Sequence, residues 1–280
     1  MSQKSYDGKP TLYLVPTPIG NLGDMTFRSI EILKSVEVVF SEDTRETKKL
    51  LDYYEINKKL ISCHKFNEDL VSDKVIDYLK DGKDVALVTD RGTPLISDPG
   101  YVSAFKVIKE GYNVACLPGA TAFTPALAMS GLNPNRFLFY GFLSSKKTEK
   151  KKELDDLKYL KYTIILYESP YRVVETLLLI KEIMGDRKVG ISREISKKHE
   201  EVIRGNISSV LEELTDPKGE FVIVLEENKD NESYDNISVI DHIKILVKIG
   251  MNEKDAIKEV SKLHNLKKND VYMEFINSKK

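Results

Sequence analysis

Val85-Ala86-Leu87-Val88-Thr89-Asp90-Arg91-Gly92-Thr93-Pro94-Leu95-Ile96-Ser97-Asp98-Pro99-Gly100 decides how this chain folds. Its first four residues form an apolar run bounded by Lys83-Asp84 and Asp90, the pattern of a buried strand. A loop with two glycines, two prolines and two aspartates follows, and helical periodicity resumes near Tyr101. In an open α/β sheet, ligands sit in the crevice beyond the carboxyl ends of the strands. A long, stiff loop at that edge reads as a binding surface. Taken alone, it reads equally well as a sharp turn with an Asx or Asp-Pro cap.

Strand-like and helix-like runs alternate on both sides of this loop. Strands are expected over 11–17, 36–40, 60–64, 85–90 and 114–117, with helices over 25–36, 44–54, 70–79, 101–110 and 122–129. This alternation predicts a mainly parallel sheet with helices on both faces. A second cycle has strands over 136–142, 163–167, 188–194, 200–204 and 219–225, with helices over 146–161 and 171–184. In the first of those helices Leu154, Leu157 and Leu160 form a narrow apolar stripe. Consecutive strands with short connections predict antiparallel pairing, hence a mixed sheet. Residues 228–236 have the composition of a linker, and 239–248, 253–264 and 270–276 that of short amphipathic helices. The expected organisation is a tail (1–10), two α/β domains (11–125 and 126–230), and a linker with a small helical unit (231–280).

Composition narrows the function. The 280 residues carry 43 Lys+Arg against 44 Asp+Glu, a formal net charge of -1, so no global field announces a polyanion partner. Cys63 and Cys116 end apolar runs without metal-ligand spacing and read as buried free thiols. His64, His199, His242 and His264 show no ligand spacing either, so no metal is expected. The first ten residues lack the apolar core of a signal peptide, and no run approaches the roughly 20 residues needed to cross a bilayer. A cytoplasmic protein without membrane attachment is expected.

Five motifs besides the opening loop stand at strand ends. Pro16-Thr17-Pro18-Ile19-Gly20-Asn21-Leu22-Gly23-Asp24 has prolines where a dinucleotide loop has glycines, and no Walker A lysine exists, so a phosphate cradle is not expected. Such a segment suits a rigid cleft wall, with Asp24 as N-cap of the next helix. Ser41-Glu42-Asp43-Thr44-Arg45 brings two carboxylates and a phosphate-matching guanidinium to the same edge, with Asp43 or Thr44 as a cap. Pro118-Gly119-Ala120-Thr121-Ala122 allows close approach of a flat ligand, and Thr121 can cap a helix. Tyr167-Glu168-Ser169-Pro170-Tyr171-Arg172 and Arg193-Glu194-Ile195-Ser196-Lys197-Lys198-His199-Glu200 supply base, acid and cation; Lys198 and Glu200 read better as a solvated tip.

In order and spelling, these motifs resemble the tetrapyrrole-methylase superfamily of S-adenosylmethionine-dependent methyltransferases. Within it they are most similar to the 16S ribosomal RNA cytidine-2′-O-methyltransferases, the RsmI family, from about Thr11 to Ile276. Ile195-Ser196 and His199 depart from the family's usual Leu-Thr and aromatic residue. The resemblance implies a homodimer of two-domain subunits with the cofactor in the cleft between domains. It implies that Asp90, Gly92 and Thr93 line the cofactor, with Thr121 and Ala122 opposite, Tyr167 from the second domain, and Pro16 and Pro18 as the floor.

The 2′-hydroxyl is a poor nucleophile while protonated, so transfer to it needs alignment and a group that accepts or relays a proton. Lys197, with Glu194 or Glu168, is the candidate for that work, and Arg45, Arg91, Arg172 and Arg193 are the candidates for holding phosphates. Lys146, Lys147, Lys150, Lys151 and Lys152, and Lys262, Lys267 and Lys268, are expected landing sites for the small-subunit RNA. Methylation of a corrinoid or porphyrin precursor, and a non-catalytic RNA-binding module, are the alternatives.

Overall fold

A computed structural model describes residues 3–4, 7–215, 217–229 and 237–279 and contains two five-stranded sheets. The first is built from β1 (Thr11–Leu14), β2 (Val38–Ser41), β3 (Lys59–Ser62), β4 (Val85–Val88) and β5 (Asn113–Cys116). Between them run α1 (Phe27–Ser35), α2 (Thr44–Tyr53), α3 (Glu68–Lys80) and α4 (Tyr101–Lys109). All pairings are parallel, in the order β3-β2-β4-β1-β5.

Successive side chains of a strand point to opposite faces. Leu12, Leu14, Phe40, Val85 and Leu87 meet Val71, Val75 and Leu79 of α3 and Val107 of α4. Tyr13, Val39, Ala86 and Val88 meet Leu33 of α1 and Leu51 of α2 on the other side. Helices on both faces explain why these strands read as unbroken apolar runs. The loop after β1 leads to one face and the loop after its neighbour β4 to the other, so a crevice opens between them, and residues 89–100 occupy it.

After α5 (Phe123–Met129) the chain builds β6 (Phe137–Phe142), β7 (Thr163–Glu168), β8 (Lys188–Arg193), β9 (Glu201–Asn206) and β10 (Phe221–Leu225). Their order is β6-β7-β10-β8-β9, with β6 parallel to β7 and the remaining pairs antiparallel. α5 covers Ile165, Val222 and Val224 on one face. On the other, Leu154 and Leu157 of α6 (Lys147–Leu157) and Leu177 and Ile180 of α7 (Val173–Met184) pack with Ile207 and Val210 of α8 (Ile207–Glu213). Ile243, Ile257 and Phe275 of α9 (Val239–Lys248), α10 (Glu253–Leu263) and α11 (Lys268–Asn277) join the same buried cluster.

Several expectations need correction. α1 starts at Phe27 because Thr26 is its cap, accepting from the Ser29 amide at 3.1 Å. Asp24 instead ends a 3-10 turn (Leu22–Asp24) whose cap is Asn21. Thr121 does not cap α5; its hydroxyl donates to Thr124 Oγ1 at 2.8 Å. α6 ends at Leu157, short of Lys161, because the chain turns inward to bury Leu160, whose carbonyl accepts from the Asn228 amide at 3.0 Å. Cys63 is buried, but Cys116, on the edge strand β5, is exposed. α8 was not anticipated: its Ser-rich, β-branched start has weak helix propensity, and burial of Ile207 and Val210 overrides it. Residues 230–236 of the expected linker lie outside the described residues. Among the described residues no helix is long and apolar enough to cross a membrane.

The far end of the 89–100 loop is fixed from a neighbouring helix. Glu68 Oε1 of α3 accepts from the amides of Gly100, Val102 and Ser103 at 3.0, 2.7 and 3.2 Å, satisfying donors that an uncapped α4 would leave open. Glu68 is 8% exposed, so losing it strands buried N–H groups. Glu68→Ala is expected to cost about 2–3 kcal/mol in urea unfolding, with partial recovery in Glu68→Gln.

Candidate active site

Three strand-end loops are stitched into one surface. Thr17 and Gly92 exchange backbone hydrogen bonds at 2.9 and 3.0 Å, and the Thr17 hydroxyl donates to the Thr89 carbonyl at 3.0 Å. The Thr93 hydroxyl donates to the Ala120 carbonyl at 3.0 Å. Pro16 is buried against Gly119, where any Cβ would collide with its ring. Gly92 has φ +82°, a conformation that L side chains rarely adopt, which suits the bridge to Thr17.

Above these loops lies a cavity of about 370 Å³. Gly92, Thr93, Thr121, Ala122 and Tyr167 line it, as do Arg91 and Glu168. Pro18 and Asp90 instead border an adjoining hollow, and Pro16 lies below with Gly119. The second sheet supplies walls the sequence did not single out for this cleft: Phe142, Glu220, Phe221 and Val222. Ile96, Ser97 and Asp98, on the deciding loop, also line it. A register shift in β6 between Phe139 and Gly141 brings Phe142 edge-on to Tyr167, with centroids 5.5 Å apart, and Phe139 and Phe123 continue the aromatic layer behind.

Burial dominates the electrostatics here. It pushes the Tyr167 phenol up to about 12, against the opposing pull of backbone amides of Phe123 and Ala122. Burial, reinforced by the charges of Glu42 and Asp90, pushes the Asp98 carboxyl up to about 7. Burial likewise raises Glu42.

At the rim, charges from both sheets interlock. Lys197 Nζ donates to Glu194 Oε1 at 2.9 Å and Glu220 Oε2 at 3.2 Å, and Glu220 also pairs with Arg91. The Lys197 hydrogen bond holds Glu194 below the usual carboxylate range. Two missing side chains make room: a Cβ on Gly20 would collide with Lys197, and one on Gly219 with Glu194. Ser196 donates to Asp24, and Glu200 Oε2 accepts from the Ser196 amide at 2.6 Å, so Glu200 closes the turn rather than standing free in solvent. Glu194 and Ser196 have φ of +51° and +70°, strain of the kind that gathers at functional sites.

Glu168 sits deeper. Its carboxylate accepts from the Ser169 amide (2.8 Å), Arg172 Nε (2.7 Å) and the Thr176 hydroxyl (2.7 Å). Thr176 in turn accepts from Lys150 Nζ at 3.1 Å. An ammonium has only donors, so it forces the Thr176 hydrogen toward Glu168. Lys150 is 1% exposed, which removes it from the expected RNA-facing lysines: α6 turns it inward against α7. Arg45 is 85% exposed and clamped on Asp43, which it holds at about 2. Arg193 pairs with Glu201 at 2.5 Å and borders a different cavity, of about 450 Å³. Thus the structure brings Arg91, Glu194 and Lys197 together, places Glu168 with Arg172, and leaves Arg45 and Arg193 apart. Among the described residues, no group of three or more His, Cys, Asp or Glu could hold a metal ion.

Residues 11–211 match the tetrapyrrole (corrin/porphyrin) methylases. The chain belongs to the tetrapyrrole methylase family. Two solved structures of similar fold are a diphthine synthase (TM-score 0.59, 16% identity, 77% of this chain and 90% of that one) and a cobalt precorrin-4 methyltransferase (TM-score 0.55, 17% identity, 76% and 94%). By sequence, this tetrapyrrole methylase is 46% identical over 281 residues to the "Ribosomal RNA small subunit methyltransferase I" of Bacillus subtilis (strain 168), covering 96% of each chain.

The Asp98 shift gives a signed pH dependence. Its folded-state pKa, about 7, exceeds the unfolded value near 3.9, so the folded protein binds the extra proton between those limits and loses stability as pH rises through them. Asp98→Asn, which cannot ionise, is expected to gain in melting temperature relative to the parent from pH 5 to pH 8. A constant difference across that range contradicts the assignment.

Proposed function

We propose that this chain transfers a methyl group from S-adenosylmethionine to the 2′-hydroxyl of a cytidine in 16S ribosomal RNA, acting on the small ribosomal subunit or its RNA in the cytoplasm. The observation that carries the reading is the end-to-end similarity, at 46% identity, to a protein named for methylating small-subunit ribosomal RNA. The corrinoid or porphyrin alternative has behind it the family match over residues 11–211 and a shared fold at 17% identity, against near full-length similarity at 46% identity for the RNA reading.

The cavity suits this cofactor. Its exposed surface is mostly apolar (Ile19, Ala122, Phe142, Tyr167, Val222), with hydroxyls at Thr93, Ser97 and Thr121 and ionisable groups at Arg91, Asp98, Glu168 and Glu220. It has no glycine-rich phosphate cradle, and S-adenosylmethionine has no phosphate to be cradled. When bound, the cofactor supplies an electrophilic methyl on a positively charged sulfur. In this reading Gly92, Thr93, Thr121, Ala122 and Tyr167 hold it, with Pro16 and Pro18 as rigid support and Asp90 at the mouth.

The chain's own work is on the ribose oxygen. Lys197 already donates to two carboxylates, so we assign it to stabilising negative charge on that oxygen. As the methyl bonds to the oxygen, the single proton released passes to the Glu194–Glu220 carboxylate pair that Lys197 bridges. Glu168, buried and already accepting from three donors, is assigned to positioning Arg172 rather than moving a proton. Arg91 and Arg172 meet the RNA phosphates nearest the site; Arg45 and Arg193 serve more distant ones.

With labelled cofactor, the purified chain is expected to methylate small-subunit RNA and not a tetrapyrrole, at a position mapped as a 2′-O-methylcytidine. Lys197→Ala is expected to lower kcat by roughly 10²–10³-fold with cofactor affinity retained. Unchanged turnover at saturating RNA would remove Lys197 from the mechanism.

The expected homodimer has a surface in this reading. Tyr101, Phe105 and Ile108 of α4 lie on one exposed stripe beside Phe66 and Leu70, and Lys106 spans to Asp69 and Asp73 at 3.6 and 3.5 Å. An exposed apolar patch of this kind marks an association surface, and in this reading two copies bury it against each other about a two-fold axis. Phe105→Glu is expected to halve the mass seen in sedimentation; an unaltered dimer would place the interface elsewhere.

A further inference from the structure

The hollow beside the main cavity meets it at Pro18, Asp90 and Arg91, but its far side, on α2, takes no part in holding the cofactor or in the transfer chemistry. It has a volume of about 300 Å³ and lies between the 18–22 loop and α2. Pro18, Leu22, Leu50 and Tyr53 give it apolar walls, and Lys49 and Arg91 stand at its border.

Three observations tie it to the reaction. Arg91 lines both the hollow and the main cavity. Gly20 lines the hollow, and its missing Cβ is what admits the Lys197 side chain, so a single backbone separates hollow from Lys197. Tyr53 is a 63% exposed ring on a fixed mount: Tyr54 meets it edge-on (5.0 Å, 87°) while the Tyr54 hydroxyl donates to the Leu22 carbonyl across the hollow's far wall.

Single-stranded RNA is held by stacking its bases on aromatic rings while cations follow its backbone. The cations here are held in exposed pairs, Lys49 with Glu46 at 2.6 Å and Arg91 with Glu220. Pairs of that kind are worth little, so a phosphate can displace the carboxylate cheaply. We infer that the hollow is a subsite for an unpaired RNA base adjacent to the methylated nucleotide, stacked on Tyr53 with its phosphates at Lys49 and Arg91.

This rests on the RNA reading proposed above, and the experiment separates the two. Steady-state methylation of small-subunit RNA is measured for the parent, Tyr53→Ala and Tyr53→Phe. Alongside it, quenching of a short single-stranded oligoribonucleotide carrying 2-aminopurine is followed without any methyl transfer. Tyr53→Ala is expected to raise the RNA KM roughly 5- to 100-fold, the span of one lost stack, with kcat within about twofold and cofactor affinity unchanged. Tyr53→Phe, which keeps the ring, is expected to behave as the parent, and the oligonucleotide is quenched by both but not by Tyr53→Ala. An RNA KM for Tyr53→Ala equal to the parent's overturns the subsite. So does a Tyr53→Phe as defective as Tyr53→Ala, because the hydroxyl rather than the ring would then matter. A parent protein that methylates no RNA overturns the functional reading, and quenching then judges the hollow by itself.

Discussion

Two backbone hydrogen bonds, exchanged between Thr17 and Gly92, set the geometry on which the rest of the site depends. Parallel strands β1 and β4 send their chains to opposite faces, so nothing in the sheet itself keeps their loops together. The bridge does, and it requires the left-handed backbone that Gly92 supplies. With Thr93 bonded to Ala120 and Pro16 seated on Gly119, the ends of β1, β4 and β5 become one wall. The prolines that remove amide donors from the first loop also stiffen it, which suits a ligand held by shape more than by backbone donors.

The wall closes on the second sheet through charge. Arg91, Glu220, Lys197 and Glu194 alternate in sign along one edge and join loops that are far apart in the chain. With a formal net charge of -1 the chain has no global positive field, and the two cations of this edge, Arg91 and Lys197, are each paired with carboxylates that an incoming anion would have to displace. Association by exchange of partners has a shallower salt dependence than binding by a bare basic face.

The fold was largely legible because both sheets have apolar strands and strand–helix alternation, the strongest signals a sequence carries. The family resemblance correctly pointed to a tetrapyrrole methylase, and the motifs for three of the cavity's walls stood at strand ends, where ligands are expected. What was not legible arises from tertiary contacts. Lys150 sits in a run of lysines that looks solvated, and only the approach of α7 buries it. Glu68 looks like a first-turn acid of its own helix, yet its partners are in α4, reached through a parallel crossover. Glu220 precedes β10 without any local motif, and antiparallel pairing with β8 brings it to Glu194. Asp24 and Thr26 are both plausible caps, and two residues of loop geometry choose between them.

Gly20 and Gly219 act through the space they leave. Each stands where a single methyl group would press on a charged side chain, Lys197 in one case and Glu194 in the other. The geometry of this charged edge is therefore encoded partly in atoms the protein does not have. Substitution at either glycine would shift this charged edge without altering any ionisable residue, and at Gly219, whose φ of +87° L side chains rarely adopt, it would strain the backbone as well. The two positions would therefore report differently, Gly20 on the space beside Lys197 and Gly219 on the space beside Glu194 together with the turn that holds it.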